Sequence, residues 1–200
     1  PTIIKKCKEL MQLMDYAPHD FVIQAEDQDY ERFCNFKHRT FNSYDCVYFL
    51  RSLANIYRHH GGLETVFTRA YQKHQDMFEV LKEWYSVFTS LPAEARVLRH
   101  IANVEKGSAA KRVNMFLRWM VRHDGDVDFG LWKDIPTSAL LIPLDLHTGN
   151  VSRQLGLLTR NQNDRKAVEE LTTRLRELDL IDPIRYDFSL FGLGAFEKTK

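Results

Sequence analysis

Cysteine is scarce in this chain. Cys7, Cys34 and Cys46 are an odd number at wide spacing. That usage excludes a disulfide framework and points to a reducing, cytoplasmic setting. It also excludes a four-cysteine iron–sulfur loop. No Cys or His stands at zinc spacing from His38, and the adjacent His59 and His60 cannot face one way on a helix, so neither a metal nor any other cofactor is expected. Long apolar runs are missing as well. None reaches membrane-spanning length, so a membrane is not among the expected partners. No signal-peptide pattern is visible. Period-2 alternation is absent over any useful length, which leaves an all-α class. A Gly-rich phosphate loop and an acidic metal cluster are both lacking, which argues against nucleotide hydrolysis. Internal repeats and low-complexity segments are absent too. Charge of one sign is not in excess: the net charge is +1, so any anion-binding surface must be local.

What is present is a string of helical patterns. The 200 residues are 44% apolar, enough for the core of one compact domain spanning 1–200. Residues 2–15 place Ile3, Ile4, Cys7, Leu10, Met11 and Met14 on one helical face. A short helix over Asp20–Gln24 is expected to bury Phe21, Val22 and Ile23, and a brief one follows through Phe33. Asn42-Ser43 caps a helix from Tyr44 to about His59, stopped by Gly61 and Gly62 in the left-handed region. Helices are expected at about 63–72 and 76–89, and from Pro92 to about Asn103. Arg165 to Leu178 reads as an amphipathic helix with a polar face. Asp182-Pro183 opens a last helix, in which Gly192 and Gly194 imply the close approach of another helix.

Two loops stand out. Phe36-Lys37-His38-Arg39-Thr40-Phe41 is a basic turn between aromatics. Such a turn can grip a phosphate, and it can equally be a loop anchored in the core by its phenylalanines. His123 to Phe129 (HDGDVDF) is acidic and reads as an insertion.

The stretch that carries chemistry runs from Lys106 to Gly156. It follows a local basic excess. Leu91 to His123 holds Arg96, Arg99, Lys106, Lys111, Arg112, Arg118 and Arg122 against Glu94 and Glu105. Ser108 is the expected N-cap of a helix whose first turn holds Ala109, Ala110 and Lys111. Its free amides can hold a phosphate. Val113, Phe116, Leu117 and Met120 then face the core, with Lys111, Met115, Arg118 and Arg122 opposite. Asp145, in Ile142-Pro143-Leu144-Asp145-Leu146-His147, is the expected N-cap of a second helix, accepting from His147 or Thr148. Capping keeps its carboxylate ionised. A lysine and a carboxylate at two helix starts suit chemistry at a glycosidic bond.

The segment IPLDLH and the upstream Lys111-Arg-Val-Asn114, in the order hairpin, Lys, Asp, helix, resemble the helix-hairpin-helix DNA glycosylases. The resemblance covers about Ile101 to Phe196. The hairpin is degenerate, with Gly107 as its one glycine, and the 34-residue step from Lys111 to Asp145 is similar to that of the archaeal 8-oxoguanine branch. A closer resemblance, carried by FKHRTF, VDFGLW, PLDxHTGN and YDFxLFGLG, is to an uncharacterised bacterial family distantly related to those enzymes. The resemblance implies a helix-hairpin-helix glycosylase-like fold with further helices upstream, and so an N-terminally truncated one. It divides the chain into an N-terminal helical part, 1–100, and a hairpin and catalytic-Asp-like part, 101–197.

The resemblance also implies a function in DNA repair. The partner would be double-stranded DNA with a damaged base or an abasic site. Lys111 would be the nucleophile and Asp145 its electrostatic partner. Lys106, Gly107, Ser108, Ala109, His147 and Arg118 would contact DNA. Trp119, Trp132 and Phe188 would border the pocket for a base flipped from the duplex. Two other readings stay open: a non-catalytic DNA-binding protein that keeps the fold, and a scaffold that binds no DNA.

Overall fold

The computed structural model describes residues 2–124 and 127–196. Pro1, Gly125 and Asp126 of the HDGDVDF loop, and Glu197 at the end of the expected C-terminal part lie outside the described residues. The protein is all-α: among the described residues there is no strand, only the isolated bridges His38↔Phe41 and His123↔Phe129. The helices are α1 (Thr2–Leu13), α2 (Pro18–Gln24), α3 (Ser43–His59), α4 (Leu63–His74), α5 (Met77–Phe88), α6 (Ala95–Leu98), α7 (Lys111–Val121), α8 (Leu146–Gln154), α9 (Arg165–Leu178) and α10 (Asp187–Phe196). Short 3₁₀ turns occupy Asp27–Phe33, Thr137–Ala139 and Pro183–Tyr186.

The chain forms two compact units. The first is Pro1–Phe67 with Trp84–Ile101; the second is Thr68–Glu83 with Ala102–Lys200. Thr68–Glu83, expected in the N-terminal part, groups instead with the C-terminal one.

In the first unit α3 is the central helix. Its buried residues Asp45, Cys46, Tyr48, Leu50, Ser52, Ala54 and Ile56 surround the axis, as they must in a helix covered on several sides. One side meets Met14, Phe21, Val22, Tyr30, Phe33 and Phe36. The other meets Val66, Phe88, Val97 and Ile101. Asn42 caps α3 by accepting from the Asp45 amide, and Asp45 reaches back to the Asn42 amide. The helix ends as expected, with Gly61 and Gly62 at φ +79° and +91°. Three expectations are corrected. Ile3 and Ile4 of α1 are exposed, so only the C-terminal half of that helix packs. Ile23 is 38% exposed, because three consecutive residues fan out around a helix and cannot share one buried face. The helix expected from Pro92 to Asn103 shrinks to Ala95–Leu98.

In the second unit α9 buries Ala167, Val168, Leu171, Thr172 and Leu175 at helical spacing. The extended run Leu140–Leu144 is buried. An extended backbone in a core must find partners, and the Ile142 amide donates to Thr172 Oγ1 at 3.2 Å. The run ends at Asp145, and its burial fixes where that residue emerges.

Candidate active site

Asn103 builds the turn before α7. Its Oδ1 accepts from the amides of Glu105 and Lys106, and its carbonyl from that of Ser108. Gly107 closes the turn at φ +84°, where only the backbone conformation calls for glycine, since a Cβ would meet nothing within 4 Å. The Gly107 carbonyl accepts from the Arg165 amide, which ties the turn to the start of α9. Lys106 and Gly107 are exposed; Ser108 and Ala109 are half-buried.

The start of α7 differs from the expected one. Ser108 is not the cap. Its Oγ accepts from the Ala110 amide at 3.2 Å, which makes a local turn. Ala110 precedes the helix in the left-handed region, at φ 48°, and Lys111 is its first residue. Asn114 Nδ2 donates to the Ala109 carbonyl and braces this unusual entry.

Lys111 therefore leaves the helix at its first position. Its Nζ donates to Asp145 Oδ2 at 3.0 Å. Asp145 caps α8, and its Oδ1 accepts from the Thr148 amide at 2.8 Å. Of the two expected donors, Thr148 is the one used. The two side chains, 34 residues apart, meet with Lys111 47% exposed and Asp145 only 11%. Burial is the largest influence on Asp145 and acts to raise its pKa. The Thr148 amide and Lys111 outweigh it and hold the carboxyl below its ordinary value. Asn163 fixes the backbone beneath: its Nδ2 donates to the Asp145 carbonyl at 2.8 Å, and its Oδ1 accepts from Arg153. Gly149 leaves room for this amide, since a Cβ there would stand 2.6 Å from Asn163 Oδ1.

Along α7 the expected faces hold in part: Leu117 is buried and Lys111 exposed, but Val113, Phe116 and Met120 are only half-buried. The buried stripe is Asn114, Leu117, Arg118 and Val121. Arg118 is corrected from a DNA contact to a core residue. It is 1% exposed, with Nε on Asp128 at 3.1 Å and Nη1 on Asp187 at 2.6 Å. Arg122 joins the same cluster, bonding Asp128, Asp124 and Asp182. A charge that is fully paired can be buried, and hydropathy pattern alone places it outside. The Asp187 carboxyl is pushed up to about 6, mainly by burial. Arg118 opposes this, and the negative charge of Asp145 adds to it.

Phe188, 41% exposed, lies with its ring 3.7 Å from the Arg118 guanidinium carbon. Trp119 is 37% exposed. Trp132 is corrected from a pocket residue to a core one: it is 7% exposed and edge-on to Phe116. His147 is half-buried. Its Nδ1 donates to the Gly194 carbonyl at 2.9 Å, and its ring meets Phe191 edge to face. α10 crosses α8 closely at Gly194, as expected, but Gly192 has open space around it.

Asp128, Asp187, Asn114 and Asn163 were not among the expected site residues. Asp128 and Asp187 stand in the VDFGLW and YDFxLFGLG marks, so the signal for them lay in motifs read only as resemblance. Among the described residues no group of His, Cys, Asp or Glu is arranged to hold a metal ion. No helix among them is long and apolar enough to cross a membrane.

Fold and site define a helical protein with one lysine–aspartate pair set between two helix starts and backed by a buried arginine–aspartate cluster. The chain matches over residues 1–196 the family described as "Protein of unknown function (DUF2400)", and it belongs to that family. Neither a curated protein nor a solved structure matches it.

Proposed function

We propose that this protein binds duplex DNA and excises a damaged base, with or without cleavage of the abasic strand. The supporting observation is the contact of Lys111 Nζ with Asp145 Oδ2 at 3.0 Å, made at a half-open surface. The likeness of Lys111–Asn114 and of IPLDLH to the helix-hairpin-helix glycosylases supplies the reaction class.

In this reading Lys111 first gives its Nζ proton to solvent, and the free amine then gives its lone pair to C1′ of the damaged nucleotide. The C1′–N bond breaks, and its electron pair leaves with the base, which takes up a proton. Positive charge grows on the sugar as the bond breaks. Asp145, kept ionised by the Thr148 amide, stabilises it. Lys111 then loses an N–H proton and the C1′–O4′ bond breaks, its oxygen taking up a proton, which leaves a Schiff base on Lys111. Loss of a C2′ proton expels the 3′ phosphate in the lyase branch. The exposed turn at Lys106 and Gly107 and the first amides of α7 would hold the phosphate backbone.

The test is borohydride trapping on duplexes carrying an abasic site or 8-oxoguanine. A covalent adduct is expected, and it should vanish in Lys111→Gln. An adduct that persists in that variant removes Lys111 as nucleophile. Salt-sensitive duplex binding with neither adduct nor released base would leave the non-catalytic DNA-binding reading.

A further inference from the structure

The Lys111–Asp145 site leaves the FKHRTF turn of the first unit unexplained. Its conformation is fixed at several points. Phe36 is buried. Phe41 packs edge-on against Phe49 and His100, with ring centroids 5.1 and 5.2 Å apart. His38 and Phe41 exchange backbone bonds of 2.8 and 3.0 Å. Arg96 Nη2 reaches the Thr40 carbonyl at 3.3 Å. The phenylalanines therefore anchor the turn, as one expectation held, and that leaves open what its basic residues do.

Lys37 and Arg39 both point into solvent, and among the described residues neither makes an ion pair. The neighbouring carboxylate cannot serve them. Asp45 is fully buried, already bonded to Arg96 at 2.8 Å and to the Asn42 amide at 2.8 Å, and lies 3.4 Å from His100. Arg39 moreover sits at φ 55°, in the left-handed region that glycine or asparagine fills more easily. An arginine there is held by its surroundings against its own preference.

We propose that Lys37 and Arg39 form a second, sequence-independent contact to a nucleic-acid phosphate backbone. The proposal rests on the reading of DNA as the partner. The anchored turn presents two unpaired cations without the ordering cost that a mobile loop would bring on binding. Each would neutralise one phosphate and release its counterions.

The experiment is titration of the full chain with an undamaged duplex at several KCl concentrations, for the wild type, Lys37→Ala, Arg39→Gly and the double variant. Each single substitution should weaken binding evenly across sequences and lower the salt slope by about 1, and the double variant by about 2. Arg39→Gly relieves the backbone, so its thermal midpoint should not fall. An unchanged slope in the double variant, with a wild type that binds, overturns the turn contact and leaves the DNA reading standing. Lowered midpoints in both single variants would assign the two residues to folding and overturn it as well. A wild type with no salt-dependent binding overturns both readings together.

Discussion

Two cations of helix α7 stand in opposite circumstances. Lys111, at its first position, is half-exposed and touches one carboxylate. Arg118, two turns on, is buried and holds two. Both are bonded to aspartates at similar distances, so distance alone does not separate a charge open to a ligand from one closed in the fold. Solvent access does. Arg118 and Asp128 are sealed with Arg122 and have no room for a third party. Lys111 keeps an open side, and its aspartate is held by a helix end that does not depend on the lysine.

The sharpest way to break this contrast is to remove each cation. Arg118→Met leaves Asp187 buried without its arginine and Asp128 with Arg122 alone, and should destabilise the fold by about 3–5 kcal/mol. Lys111→Met should cost no more than about 1 kcal/mol, because the lysine is half in solvent and the Thr148 amide still serves Asp145. Urea unfolding of both variants measures the difference. Equal losses would show that the two arrangements are one structural network.

Acidity sharpens it further. The folded-state pKa of Asp187 is raised from the ordinary 3.8 to about 6. A carboxyl with a raised pKa binds its proton more tightly in the folded state. The resulting stability is fully present below about pH 4 and is lost as pH rises through about 6. The loss is at most about 3 kcal/mol. Asp145 has the opposite sign: its lowered pKa gives stability present above the ordinary carboxyl range and lost as the pH falls through the folded value. Denaturant midpoints from pH 4 to 7 should therefore lose a downward component in Asp187→Asn. If that variant keeps the wild-type profile, Asp187 does not titrate in this window.

The contact between α8 and α10 gives a smaller effect with a built-in control. A Cβ on Gly194 would stand 2.9 Å from the His147 carbonyl oxygen and 3.0 Å from its Cβ, whereas one on Gly192 would meet nothing. Gly194→Ala should cost about 1–3 kcal/mol through overpacking. Gly192→Ala should be neutral or gain up to about 1 kcal/mol from helix propensity. Thermal melts of the pair decide, and a matching cost at both positions would mean that the helices cross elsewhere.

The sequence made some of this legible for physical reasons. Caps are local, so Asn42 before α3 and Asp145 before α8 could be read from residue type and position. α9 was clear because one face is apolar but for Thr172. The Arg118 cluster was hidden because its partners lie 10 and 69 residues away, and a guanidinium on a helix reads as surface until its carboxylates are known. The false cap at Ser108 has a similar cause. A serine before an apolar period satisfies the usual rule, but here its hydroxyl closes a turn two residues long, and Ala110 takes the left-handed step. The meeting of Lys111 with Asp145 depends on the buried path of Leu140–Leu144, which no spacing rule supplies.

The mildest substitutions test Asp145 itself, which has two duties in one side chain. As a cap it accepts from the Thr148 amide; as a charge it faces Lys111. Asp145→Ala ends both and should cost about 1 kcal/mol through the cap alone. Asp145→Asn keeps an oxygen for Thr148 and removes the charge, so stability should change by only a few tenths of a kcal/mol. In the proposed reaction the trapped adduct should nevertheless form much more slowly in both variants, because each lacks the charge assigned to stabilising the sugar. If Asp145→Asn traps as fast as the wild type while Asp145→Ala is slow, the aspartate serves only to start α8, and the Lys111–Asp145 contact is as structural as the Arg118 cluster behind it.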